Sequence, residues 1–166
     1  MVSNSNDWYP EIYVGRFSPS NSSTMNTIIQ RNLEYEINPE ISNYYTNAIG
    51  LGSNQGAGYG DDGEADWEHL RNIRTDLLNF GYQNVYEFYD GNHGGEDAIG
   101  SPNASMISTA LENGISIFNY TGHGNQNIVS TGNFSSSHIN NTSNNGKYPF
   151  VISVACNNGS FTSGTC

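Results

Sequence analysis

Short runs of almost unbroken apolar residues recur along this chain, and segments with helical spacing separate them. The runs are "NAIGLGS" (47–53), "NVYEFYD" (84–90), "ISIFNY" (115–120) and "PFVISVA" (149–155), with "EIYVGRF" (11–17) ahead of them. Strands exposed on one face alternate apolar and polar residues, so continuous runs imply a sheet covered on both faces. Between the runs, Ser22 or Ser23 can cap a helix carrying Met25, Ile28, Ile29 and Leu33 on one face, ending before Pro39. Trp67, Leu70, Ile73, Leu77 and Leu78 mark a second helix from Asp66, closed by Gly81. Ser101-Pro102 opens a third in cap-then-proline order, with Ile107, Ala110 and Leu111 inward and Gly114 at its end. A polar stretch follows "ISIFNY", with one helical turn near His138. This alternation predicts an α/β domain with a mainly parallel sheet, without internal repeats, and 166 residues suit one such domain. Ligand sites in these sheets lie beyond the carboxyl ends of the strands.

Composition narrows the function classes. A formal net charge of −11 argues against a nucleic-acid surface, and Arg16, Arg31, Arg71, Arg74 and Lys147 form no basic block. The acidic balance is compatible with secretion and with cationic substrates but selects neither. No run of about 18 apolar residues predicts a membrane span, and "MVSNSNDWYP" lacks the basic and apolar regions of a signal peptide. The Asn-X-Ser/Thr sequons are expected by chance in a chain this rich in Asn and Ser. Cys156 and Cys166 are the two cysteines, too few for a disulfide framework or a Cys-rich zinc site, although they could form one short bridge.

Two reactive side chains fall at the expected edge. "NYTGHG" places His123 just past one strand, and "SVACNNG" places Cys156 just past the next. The segment between them is long enough for a right-handed crossover, so these strands can be neighbours, about 4.8 Å apart. A thiol beside an imidazole can lose its proton and become a nucleophile, and the same imidazole can protonate a leaving amine. Glycines on both sides of His123 leave room for a substrate backbone. Gly124 and Cys156 can offer main-chain N–H groups to a developing oxyanion. The plainer reading is a buried cysteine and an idle loop histidine.

The motifs "PEIYVGRFS", "GLGSNQG", "GDDGEADWEH", "GISIFNYTGHGN" and "PFVISVACNNGSF", through to Cys166, resemble the gingipain family of cysteine peptidases, its arginine-specific members above all. The resemblance implies a three-layer αβα, caspase-like fold, incomplete at the C-terminus. Residues 1–45 would be the end of a preceding α/β subdomain with a connecting helix, and 46–166 the first part of the catalytic subdomain. It further implies Cys156 as nucleophile, His123 as general acid/base, and Cys156 and Gly124 as oxyanion donors.

By the same resemblance, Asp66 in "GEAD" falls on the S1 carboxylate that meets a substrate guanidinium, a directional pair favouring Arg over Lys. Local sequence alone makes Asp66 equally a first-turn acid of the second helix. Gln55 stands where the family often has an acid orienting the histidine. A glutamine can hold the ring through its carbonyl oxygen without stabilising an imidazolium by charge. No cofactor is implied for the chemistry. Calcium stabilises family members, and Asp61, Asp62 and Glu64 are the candidate ligands here, although a solvated acidic loop explains them too. His69 reads as a packing or hydrogen-bonding residue, and His93 and His138 carry no signal. Protein or peptide substrates and a secreted or surface-bound bacterial protein are implied. The alternatives are a secretion-linked processing peptidase, or a fragment or catalytically silent homologue serving as a surface or binding module.

Overall fold

In the computed structural model residues 15, 17–57 and 63–160 are described, so Asp61, Asp62, Cys166 and nearly all of the strand expected at 11–17 lie outside them. Strands β1 (Asn47–Gly52), β2 (Asn84–Tyr89), β3 (Ile117–Thr121) and a later one at Phe150–Val154 form a parallel sheet. Helix α2 (Asp66–Phe80) connects β1 to β2, and α3 (Ala104–Asn113) connects β2 to β3. The Phe150–Val154 strand lies beside β3, as the sequence predicts for the two strands that carry His123 and Cys156.

Strand β1 explains how the layers form. Its large side chains, Ile49 and Leu51, join Ile107, Ala110 and Leu111 of α3 in the main core. On the other face it carries glycine, because α2 comes too close for anything larger. A Cβ on Gly52 would lie 3.0 Å from Leu70 Cδ1 and 3.2 Å from the Trp67 main chain. Alternation of small and large residues therefore sets two helices on opposite faces of one strand. The one acid in β2, Glu87, is buried and paired with Arg71 of α2 (Nε to Oε1, 2.8 Å). The Arg71 guanidinium also lies over the Trp67 ring and donates to the carbonyls of His93 and Gly94, which straps the loop after β2 to the helix.

Several boundaries differ from expectation. Helix α1 (Ser22–Ile37) is capped by Asn21, whose side chain accepts from Thr24 N, rather than by Ser22 or Ser23. Helix α3 starts at Ala104, because Asn103 caps it by accepting from Met106 N. The polar stretch holds more order than one turn. It forms a small antiparallel sheet of β4 (Gly124–Asn125), β5 (Ile128–Val129) and β6 (Phe134–Ser135), then α4 (Ser136–Asn141), leading to β7 (Phe150–Val154). Two covered faces hold for β1; among the described residues nothing covers β7, where Phe150, Val151, Ile152 and Val154 are all exposed. Helices α2 and α3 sit over β1 to β3 and do not extend to that edge.

Burial raises the pKa of the Tyr89 and Tyr120 phenols above the ordinary value, and the charge of Glu87 adds to the effect at Tyr89. A phenol held neutral in the folded chain contributes stability fully present below about pH 10 and lost as pH rises beyond it. Spectrophotometric titration is expected to resolve exposed tyrosines ionising near pH 10 from a class that ionises only as the fold is lost. A single population titrating near pH 10 with the fold intact would contradict this packing.

Candidate active site

The parallel ladders continue past the ends of their strands. Ser53 N donates to Thr121 O at 3.0 Å, and Gly122 N donates to Val154 O at 3.1 Å. Thr121 is paired with Val154, so His123 and Cys156 each lie two residues beyond a matched pair, on one edge of the sheet. Both are exposed, and Cys156 is a free thiol. The structure brings their loops together but forms no thiol–imidazole hydrogen bond.

The His123 loop is pinned from beneath. The Tyr120 hydroxyl donates to the His123 carbonyl, which also accepts from Ser130 N at 2.9 Å. Burial raises the Tyr120 pKa, while hydrogen bonds at Thr131 and Ser130 work against the rise. Thr131, fully buried, donates its hydroxyl to Asp90 Oδ2 at 2.7 Å, so the loop is tied to the end of β2 as well. The two glycines have a structural reason that the sequence concealed. A Cβ on Gly122 would lie 2.8 Å from Tyr120 Oη and 2.9 Å from Ser53 Cβ, and one on Gly124 would lie 2.9 Å from Ala155 Cβ and Asn158 Nδ2. They are small so that the histidine loop can pack against its own neighbours, whatever room they also leave for a substrate.

Asp66 is buried at the same edge. Ser53 Oγ donates to Asp66 Oδ2 at 2.5 Å and accepts from Gln55 N at 3.1 Å, while Asp66 N donates to the Gln55 carbonyl at 3.3 Å. Asp66 is the first residue of α2, yet the Glu68 carboxylate takes the Ala65 N–H at 2.8 Å and completes that helix end. The Asp66 carboxylate is thereby turned toward Ser53, and Ser53 touches the glycine before His123. Sequence alone does not single out Ser53, Tyr120 and Asn158 for the site, since an isolated serine, tyrosine or asparagine has no spacing signature.

The other candidates have local partners. Glu64 accepts from Asn72 and pairs with His69 Nδ1 at 3.0 Å. Asp61 and Asp62, the other two candidate calcium ligands, lie outside the described residues. Among the described residues no cluster of three or more His, Cys, Asp and Glu could hold a metal ion. His93 stacks on Trp67 with ring centroids 4.0 Å apart, and His138 Nδ1 bonds to Ser135. Among the described residues no helix is long and apolar enough to cross a membrane.

A free cysteine and a histidine at matched strand ends of a helix-flanked parallel sheet define a candidate cysteine-hydrolase centre. The chain belongs to peptidase family C25, whose model matches residues 1–166. It is 32% identical over 157 residues to gingipain R2 of Porphyromonas gingivalis, covering 94% of this chain and 20% of that protein. The match to gingipain R1 of the same organism has the same identity and covers 15% of that protein. The crystal structure of the Arg-specific cysteine proteinase gingipain R superimposes with a TM-score of 0.84 at 32% identity, over 97% of this chain and 36% of that one. That likeness bears out the α/β, gingipain-type fold.

The Gly122 contacts yield a test. Gly122→Ala is expected to overpack the loop and lower stability by about 1–3 kcal/mol, read as an earlier denaturant midpoint with an unchanged slope. A midpoint equal to the parent's would mean that Tyr120 and Ser53 do not confine this position.

Proposed function

We propose that the intact protein is a cysteine endopeptidase cleaving after a basic P1 residue, arginine in preference to lysine. The observation that carries this is the matched placement of His123 and Cys156 beyond the Thr121–Val154 pair, in a chain of peptidase family C25. Because the chain spans a fifth of gingipain R2, the reading concerns the whole protein that contains it. The formal net charge of −11 on this chain is compatible with secretion and with cationic substrates.

In this mechanism the His123 imidazole takes the Cys156 proton, and the thiolate adds to the scissile carbonyl. The negative charge that develops on the carbonyl oxygen is met by the main-chain N–H groups of Cys156 and Gly124. The second donor has geometric support. The Ser130 N to His123 O bond makes 123 and 130 a hydrogen-bonded pair, so Gly124 and Val129 form the alternating non-bonded pair, and the Gly124 N–H faces away from β5. The imidazolium then protonates the leaving amine, giving a thioester. Water, deprotonated by the same ring, attacks that thioester and releases the acid and the free thiol. Asp66 would meet the P1 guanidinium, with Ser53 holding one carboxylate oxygen and leaving the other for the substrate.

Treatment of the intact protein with a peptidyl arginyl chloromethyl ketone is expected to alkylate Cys156, located by mass spectrometry, faster than the lysyl analogue does. An unmodified Cys156 in folded protein would favour a silent, binding homologue instead. Asp66→Asn is expected to lower kcat/KM for an arginyl reporter by about 2–5 kcal/mol of transition-state binding and to remove the Arg-over-Lys preference. Gln55→Glu is expected to stabilise the imidazolium and move the pH–rate profile to higher pH. A profile that stays in place would mean that position 55 does not act on the ring.

A further inference from the structure

Asn158 lies two residues past Cys156, and its carboxamide reaches across to the loop that carries His123. Its Nδ2 donates to the main-chain carbonyl of Asn125 and, at 3.3 Å, to that of Ile128. Its Oδ1 accepts from Ser153 Oγ at 2.8 Å. Asn125 and Ile128 are opposite residues of the β4–β5 hairpin, which begins one residue after His123. Ser153 belongs to β7, the strand that delivers Cys156. One planar group therefore spends its donors on the imidazole's hairpin and its acceptor on the thiol's strand.

The surroundings are shaped for this side chain. Gly124 has no Cβ where one would lie 2.9 Å from Asn158 Nδ2. Asn157, with φ of 62°, takes a left-handed conformation that few non-glycine residues adopt, and it turns the chain between the thiol and the clamp. Asparagine is among the residues that tolerate this conformation best.

We propose that Asn158 is a positioning residue that sets the separation and relative orientation of Cys156 and His123. It touches neither reacting atom. It acts by fixing the hairpin after the histidine to the turn after the cysteine, and it rests on the peptidase reading above. Two charge-neutral donors facing two carbonyls cannot be replaced by an anion. Asn158→Asp keeps the shape, removes both donors when ionised and sets a carboxylate against two carbonyl oxygens.

The test uses the intact protein. Asn158→Asp is expected to lose about tenfold to a hundredfold in kcat for an arginyl reporter near neutral pH, with KM and the Arg/Lys ratio little changed. Its deficit relative to the parent is expected to shrink as pH falls, because a protonated carboxyl can again donate to one carbonyl. Asn158→Ala is expected to lose activity without that recovery. Ser153→Ala, an exposed change that only frees the carboxamide to rotate, is expected to give a smaller loss in the same direction. The pH dependence of Cys156 alkylation by iodoacetamide supplies a readout that needs no turnover: it is expected to move toward an ordinary thiol in Asn158→Asp. A parent-like rate and pH profile in Asn158→Asp, with Cys156→Ala inactive, would overturn the clamp and leave the peptidase reading standing. A loss equal at every pH that tracks a lower melting temperature would reduce Asn158 to a stabilising contact. Full turnover by Cys156→Ala would remove both ideas.

Discussion

The main-chain ladder linking β1, β3 and β7 is the constraint on which the candidate site depends. Its bonds do not stop where the strands do. Ser53 N to Thr121 O and Gly122 N to Val154 O carry the pairing one step further, so three loops leave the sheet in fixed register. Those loops bear Ser53 and Asp66's partner bonds, His123, and Cys156. In a parallel pair the bonds are evenly spaced, and matched residues project to the same face. A slip of one residue between β3 and β7 would turn every side chain of one strand to the opposite face. The imidazole and thiol would then part company without any change in their own loops.

Register alone does not fix what lies beyond the ladder, and a second set of bonds takes over there. Tyr120, Ser130, Thr131 and Asp90 hold the histidine loop from below, while Ser53 joins the buried Asp66 through its hydroxyl and Thr121 through its main-chain N–H. Tyr120 and Thr131 are fully buried and Asp66 nearly so. Polar groups in such surroundings are costly to leave unpaired, so loosening one bond disturbs its neighbours. This is a rigid base under an exposed pair, the arrangement in which side chains of a site keep their geometry while their tips stay accessible.

The parallel strands and long helices were legible because each has a period and a stop signal. Trp67 to Leu78 repeats at helical spacing and ends at Gly81, and β1 to β3 are apolar runs bounded by Gly, Asn or Asp. Helix α3 begins later than its sequence suggests because Ser101-Pro102 imitates a cap, while the working cap, Asn103, is one of many asparagines. Strands β4, β5 and β6, two residues each, are too short to show any period. At the site, Cys156 and His123 were readable as strand-end residues. The reason for the glycines beside His123 was not, since it lies in side chains 53, 120, 155 and 158 that only the fold gathers.

Strand β7 stands apart from the rest of the sheet. Among the described residues it pairs with β3 alone, and its apolar side chains are exposed on both faces. The thiol is carried by β7, while the imidazole is carried by β3, paired on both sides by β1 and β7. Geometry between the two therefore depends on the β3–β7 pairing and on what joins the loops beyond it. The Asn158 bonds reach from the turn after β7 back to the histidine hairpin, past the last bond of the ladder. They tie the two loops together where the main-chain ladder no longer does.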